Sequence, residues 1–112
     1  MKKISILGST GSIGRQALDI INSDEIDVVA LACGRNIELL SEQIERFKPN
    51  IVSVEREEDA KALSTKYSNL EVLWGKEGLN AVAESDADLL LNGIMGMVGL
   101  EPTYKAILSG KD

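Results

Sequence analysis

The chain has 112 residues, 44% hydrophobic and 27% charged, with a formal net charge of −6 at pH 7. This length suits one domain, and the negative charge without a basic block argues against nucleic-acid binding. The single cysteine, Cys33, excludes an intrachain disulfide, and the lack of histidine excludes His-based triads and His/Cys metal sites within these residues. Without a signal peptide or an apolar run of membrane-spanning length, we expect a cytoplasmic protein without membrane contact.

Strand-like and helix-like patterns alternate along the chain. A β-branched strand at 3–7 leads into a helix that ends near residue 23, and an apolar strand at 27–33 follows. Asn36 is the predicted N-cap of the second helix, and Pro49 ends it. The remaining predicted elements are strands at 51–54, 70–73 and 87–91, a helix with an acidic start at 55–59, a helix after Gly75 and a last helix over 100–108.

Five strands alternating with five helices predict an α/β fold. We expect a Rossmann-like, doubly wound parallel sheet in three α/β/α layers, because parallel neighbours require crossover helices. No linker or repeat divides residues 1–112, which we assign to one dinucleotide-binding domain. The pattern calls for a sixth strand after Asp112. We therefore expect a fragment truncated before that strand, without the catalytic and C-terminal domains.

Gly8, Gly11 and Gly14 follow the first strand at three-residue spacing and run into the first helix. In this position Gly8 allows the chain to turn tightly as it leaves the strand, and Gly11 allows the backbone to approach a pyrophosphate closely. Gly14 allows the helix to pack closely on the sheet. Three hydroxyl residues lie between these glycines. The segment predicts a phosphate-binding turn at a helix N-terminus, although a structural turn without a ligand is the alternative.

The second strand ends in Cys33-Gly34-Arg35-Asn36. About 20 residues after the glycines, a chain that prefers NAD usually carries an acidic residue, and no carboxylate is present there. A guanidinium binds a 2′-phosphate with two parallel bonds, and Asn36 at a helix N-terminus adds donors. The segment therefore favours NADP(H), unless Arg35 is only a solvated charge and Asn36 only a cap.

The fifth strand separates two groups of polar residues. Asp86 and Asp88 precede it, at the edge of the sheet opposite to the one where open α/β sheets bind ligands. Asn92 and Gly93 follow it at the carboxyl edge and are the better candidates for a ligand site.

Three segments, 8–14, 30–36 and 92–103, together resemble the N-terminal NADPH-binding domain of the 1-deoxy-D-xylulose 5-phosphate reductoisomerase family. Their order and spacing agree with that domain, and the third segment, ending Gly-Leu-Glu-Pro-Thr, is the most specific. The resemblance implies NADPH-dependent isomerisation and reduction of 1-deoxy-D-xylulose 5-phosphate to 2-C-methyl-D-erythritol 4-phosphate. This is an early step of non-mevalonate isoprenoid-precursor synthesis.

The resemblance also implies the positions that contact the cofactor. The pyrophosphate is contacted by Thr10, Gly11, Ser12 and Ile13. The adenosine 2′-phosphate is contacted by Gly34, Arg35 and Asn36. Gly93 approaches the ribose on the nicotinamide side. It implies that the family's Asn-Lys-Glu segment, its acidic Mg²⁺ or Mn²⁺ ligands and its substrate-phosphate residues follow Asp112. We therefore expect no catalytic residue or metal ligand in this chain, weak NADPH binding without turnover, and a homodimer only for the full-length enzyme.

Two other interpretations stay open at this point. One is another NADP-dependent oxidoreductase, of the aspartate-semialdehyde dehydrogenase-like or atypical short-chain type. Against the short-chain type, neither Tyr67 nor Tyr104 has a lysine four positions later. The other is a regulatory module that binds a dinucleotide and catalyses nothing.

Overall fold

The computed structural model describes residues 2–21 and 25–93. The elements in chain order are β1 (Lys2–Leu7), α1 (Ser12–Ile20), β2 (Ile26–Ala32), α2 (Ile37–Phe47), β3 (Ile51–Val54), α3 (Glu57–Lys66), β4 (Glu71–Trp74), α4 (Gly75–Ala83) and β5 (Leu89–Asn92). Every strand and helix predicted for these ranges is present, with small differences in its bounds. The predicted helix over 100–108 lies outside the described residues.

The five strands form one parallel sheet in the order β4-β3-β2-β1-β5. The chain winds from β1 outward to β4 and then returns to the other side of β1. Leu18 of α1, Leu40 of α2 and Leu63 of α3 lie in one buried cluster, whereas Val82 of α4 lies in another. Helices therefore cover both faces, and the doubly wound, three-layer prediction is confirmed.

The central strand β2 is buried on both faces, as its continuous apolar run predicted. Val28 and Leu31 lie in the cluster that includes α1, α2 and α3, and Ala32 lies in the cluster on the α4 face. The register of β1 against β2 shifts between Ile4 and Ser5. Such a bulge interrupts the alternation of side chains, and two consecutive residues, 29 and 30, accordingly face the α4 side.

Helix α2 begins and ends where its sequence predicted. The Asn36 side-chain oxygen accepts a hydrogen bond from the Leu39 N–H at 3.2 Å, which pairs one of the free donors of the first turn. Lys48, directly before Pro49, is left-handed with φ 51° and terminates the helix. No helix in ranges 2–21 and 25–93 is long and apolar enough to cross a membrane.

Candidate dinucleotide site

The carboxyl ends of β2, β1 and β5 lie side by side at one edge of the sheet. The turn after β1, the segment 33–36 after β2 and Gly93 after β5 therefore come together. The Gly93 N–H donates to the Leu7 carbonyl at 2.7 Å, which joins the third segment to the first. The winding direction reverses between β1 and β5, and open α/β sheets bind ligands in the crevice at such a reversal.

The glycine-rich turn is held tightly against β2. The N–H groups of Gly8 and Ser9 both donate to the Ala32 carbonyl, at 2.8 and 2.9 Å. Gly8 has φ 81°, which confirms the predicted tight exit from β1. A Cβ added at Gly14 would lie 2.2 Å from the Gly8 carbonyl oxygen, so close packing requires a glycine at this position, as predicted. The surface that α1 approaches at Gly14 is the backbone of the turn before the helix, whereas the prediction was the sheet.

Helix α1 presents free backbone donors at this edge. Its N-cap is Gly11, which offers no side-chain cap, and the first helical bond runs from the Arg15 N–H to the Gly11 carbonyl at 2.9 Å. The N–H groups of Ser12, Ile13 and Gly14 therefore have no acceptor within their helix, and Ser12 and Ile13 are exposed. These donors and the positive end of the helix dipole suit a phosphate.

Gly11 itself is not required by the fold of the turn. Its φ of −80° is open to any residue, and an added Cβ would lie 3.4 Å from the Gly8 carbonyl oxygen, an ordinary contact. The predicted reason for this glycine, a close approach of the pyrophosphate, concerns the ligand and stays a prediction. Gly34 likewise has open space around an added Cβ.

The structure places a carboxylate beside Arg35. The Arg35 Nε donates to a carboxylate oxygen of Glu55, and both side chains are exposed. The parallel pairing of β2 with β3 continues past their ends, because the Cys33 N–H donates to the Ser53 carbonyl at 2.9 Å and the Glu55 N–H to the Gly34 carbonyl at 3.2 Å. This pairing brings residue 55 next to residue 35.

The prediction that no carboxylate lies at the end of β2 is therefore wrong in the folded chain: none is near in sequence, but Glu55 lies there in space. The hydrogen bond to Glu55 and the charge of its carboxylate raise the pKa of the Arg35 guanidinium. Asn36 acts as the helix cap through its Oδ1, and the two Nδ2 hydrogens remain additional donors. The preference for NADP(H) stays a prediction at this point.

Cys33 connects the turn to the β2 exit without offering a reactive thiol. Burial and, to a smaller extent, the nearby charge of Asp59 raise the pKa of the Cys33 thiol to about 12. A hydrogen bond with the Thr10 side chain acts in the opposite direction and is outweighed. The thiol is therefore protonated at neutral pH. The sequence predicted a strand over 27–33, so Cys33 was expected to be a buried strand residue; it is buried as expected, but it directly follows β2, which ends at Ala32.

The acidic residues before β5 lie at the opposite edge, as predicted. The Lys3 N–H donates to Asp88 Oδ2 at 2.9 Å, and the Lys3 Nζ lies 3.5 Å from Asp86 Oδ2. These carboxylates pair with the beginning of β1 and are remote from the glycine-rich turn. Within the described ranges, no group of three or more Cys, Asp or Glu residues is arranged to hold a metal ion.

The sequence profile of the 1-deoxy-D-xylulose 5-phosphate reductoisomerase family matches residues 4–112. The chain belongs to this family. Reductoisomerases from Microcystis aeruginosa and Shouchella clausii are 50% and 49% identical to it over 119 and 115 residues. These matches cover 100% and 99% of the chain but 30% of either relative, so the chain spans about 30% of the length of the curated reductoisomerases that it matches.

Solved reductoisomerases share the fold. The enzyme from Zymomonas mobilis in complex with NADPH superimposes with a TM-score of 0.91 at 31% identity, over 98% of this chain and 30% of that one. A reductoisomerase in complex with NADPH, fosmidomycin and magnesium has a TM-score of 0.92 at 29% identity, over 99% of this chain and 29% of its own. The family assignment decides against the other oxidoreductase types considered above.

All eight positions that the resemblance assigned to the cofactor are described, and they lie at the same edge of the sheet in this reductoisomerase-family chain. Sequence reasoning missed two contacts of that edge, those of Glu55 with Arg35 and of Gln43 with Ser9. A signal for the first was available, since an acidic residue directly follows the third predicted strand, and consecutive strands often lie side by side. For the second, a glutamine adjoins the apolar stripe of α2.

Proposed function

We propose that this chain is the NADPH-binding domain of a 1-deoxy-D-xylulose 5-phosphate reductoisomerase. Such an enzyme isomerises 1-deoxy-D-xylulose 5-phosphate and reduces the product to 2-C-methyl-D-erythritol 4-phosphate. The observation that carries the proposal is the N-terminus of α1, which has no side-chain cap and lies at the reversal point of the sheet. That arrangement suits a pyrophosphate, and it occurs in a chain about half identical to known reductoisomerases.

The cofactor would lie across the edge of the sheet with its adenosine end over β2. The proposed pyrophosphate contacts are Thr10, Gly11, Ser12 and Ile13; the 2′-phosphate contacts are Gly34, Arg35 and Asn36; Gly93 faces the nicotinamide ribose. Bound NADPH supplies the hydride of the reduction. These residues bind and orient the cofactor: the N–H donors of α1 contact the pyrophosphate, and the Arg35 guanidinium contacts the 2′-phosphate.

Glu55 does not prevent this assignment. Its pairing with Arg35 is exposed to solvent, and exposed ion pairs contribute little free energy. A guanidinium has five N–H donors, so it can bind a phosphate while it keeps one bond to a carboxylate. In this assignment Glu55 sets the orientation of Arg35, and its negative charge weakens the attraction of this part of the site for the 2′-phosphate.

The remaining parts of the reaction are assigned to the enzyme outside residues 1–112. These are the sugar-phosphate substrate, the Mg²⁺ or Mn²⁺ ion and the contacts of a homodimer. The support is that the chain spans about 30% of the length of its relatives. The chain alone is therefore expected to bind NADPH without turnover, and a measurable reaction rate would contradict that expectation.

Calorimetric titration of the chain with NADPH and with NADH at one ionic strength tests the proposal. We expect tighter binding of NADPH, and in Arg35→Ala a loss of about tenfold for NADPH with little change for NADH, because only NADPH carries the 2′-phosphate. Arg46→Ala, the same charge change on exposed α2 surface, is the control. Equal affinity for both dinucleotides would refute the 2′-phosphate assignment, and failure of both to bind would refute the cofactor site.

A further inference from the structure

Gln43 is a buried amide on the face of α2 that packs the core. It is 6% exposed and adjoins Leu40, Ile44 and Phe47, which belong to the main hydrophobic cluster. Its Nε2 donates to the Ser9 carbonyl at 2.8 Å. The side chain thus connects α2 directly to the glycine-rich turn, 34 positions earlier in the sequence.

Apolar packing does not explain this glutamine. A carbonyl oxygen only accepts, so the amide must present Nε2 to Ser9, and Oε1 then faces elsewhere. Within the described ranges, Gln43 Oε1 is buried without a hydrogen-bond partner. An unpaired buried polar atom lowers stability, so this glutamine adds a cost to the core while it supplies a donor to the Ser9 carbonyl.

The hydrogen bond fixes the peptide unit between Ser9 and Thr10. The described chain has no cis peptide bond, and in a planar trans peptide the C=O and the following N–H point in opposite directions. Because the Ser9 carbonyl is directed at Gln43, the Thr10 N–H is directed away from α2. The preceding peptide is held separately, since the Ser9 N–H donates to the Ala32 carbonyl at 2.9 Å.

We propose that Gln43 is a positioning residue for the pyrophosphate of the cofactor. It holds the Ser9 carbonyl so that the Thr10 N–H is presented to an anionic oxygen together with the N–H groups at the start of α1. Several backbone N–H groups that converge in this way form an anion-binding concavity. The inference rests on the proposed function, and Gln43 itself does not touch the cofactor.

NADPH titration of Gln43→Met tests the inference. Without the donor the Ser9–Thr10 peptide is free to rotate, and one charge-assisted bond to phosphate is lost, so we expect NADPH binding weaker by about tenfold. NADH binding should weaken by the same factor, because both dinucleotides carry the pyrophosphate. This differs from Arg35→Ala, which affects NADPH alone. Gln43→Asn keeps the amide but is one methylene shorter, and it should behave like Gln43→Met.

Ile44→Val is the matched control, since it removes buried volume from the same helix and leaves the Gln43–Ser9 hydrogen bond in place. It should lower the melting temperature and leave both affinities unchanged. In the ligand-free chain, the amide resonance of Thr10 should shift and broaden in both Gln43 variants and not in the control. Unchanged NADPH affinity in folded Gln43 variants, with wild type binding normally, would overturn this inference alone; no binding by wild type would overturn the proposed function.

Discussion

Replacement of Gly14 by alanine should distort the glycine-rich turn and lower the stability of the domain. The added Cβ would lie 2.2 Å from the Gly8 carbonyl oxygen and 2.8 Å from the Ser9 Cα. Ordinary contact begins at 3.4 Å, so the two backbone segments must separate by about 1.2 Å. Neither neighbour is the end of a flexible side chain, and the turn is held by two bonds to Ala32.

Overpacking of a rigid interior typically costs about 1–3 kcal/mol, and contact with backbone places Gly14→Ala at the upper end. For a domain of this size that corresponds to a fall in melting temperature of about 10 °C, measured by thermal denaturation followed by circular dichroism. NADPH affinity should fall as well, because the N–H groups of Ser12 and Ile13 move with the helix start.

Gly34→Ala is the control for stability, because an added Cβ there meets no atom within 4 Å. Its melting temperature should change little or rise slightly, since alanine restricts the unfolded chain more than glycine does. If Gly14→Ala melted at the same temperature as Gly34→Ala, the close approach of α1 to the turn would not be a constraint, and the steric reasoning would be refuted.

Two further predictions concern charge and protonation at the same edge. Glu55→Gln removes the carboxylate beside Arg35 and should tighten NADPH binding roughly threefold without a change in NADH binding. Glu42→Gln, on the exposed surface of α2, is the control. Weaker NADPH binding by Glu55→Gln would contradict the prediction and show that Glu55 assists binding of the 2′-phosphate. The pKa of Cys33, raised from 9.0 to about 12 in the folded chain, leaves about one thiolate in ten thousand at pH 8. Alkylation by iodoacetamide should therefore be several hundredfold slower in the native chain than in guanidinium, and equal rates would contradict the burial. Cys33 therefore favours folding below about pH 9, and its contribution to the free energy of unfolding is lost between about pH 9 and 12, because the thiol of the unfolded chain ionises first.

The sequence by itself determined the elements and their class. The three glycines, the apolar run of β2 and the Asn36 and Pro49 boundaries of α2 were all readable, because strand burial, helix caps and tight turns depend on residues close in the chain. The alternation of strands and helices then required a parallel sheet with crossover helices. From that sheet the carboxyl edge could be placed, whereas the eight candidate cofactor positions came from the resemblance to the reductoisomerase family.

Only the tertiary structure decided which side chains meet at that edge. The Arg35–Glu55 pair depends on β3 lying beside β2 in register, and the Gln43–Ser9 bond depends on how α2 lies across the sheet. Both join residues at least 20 positions apart, and no local propensity contains that information. Likewise, the sequence predicted close packing at Gly14, but only the fold shows that the close neighbours are the backbone atoms of Gly8 and Ser9, because packing distances are set by the assembled structure.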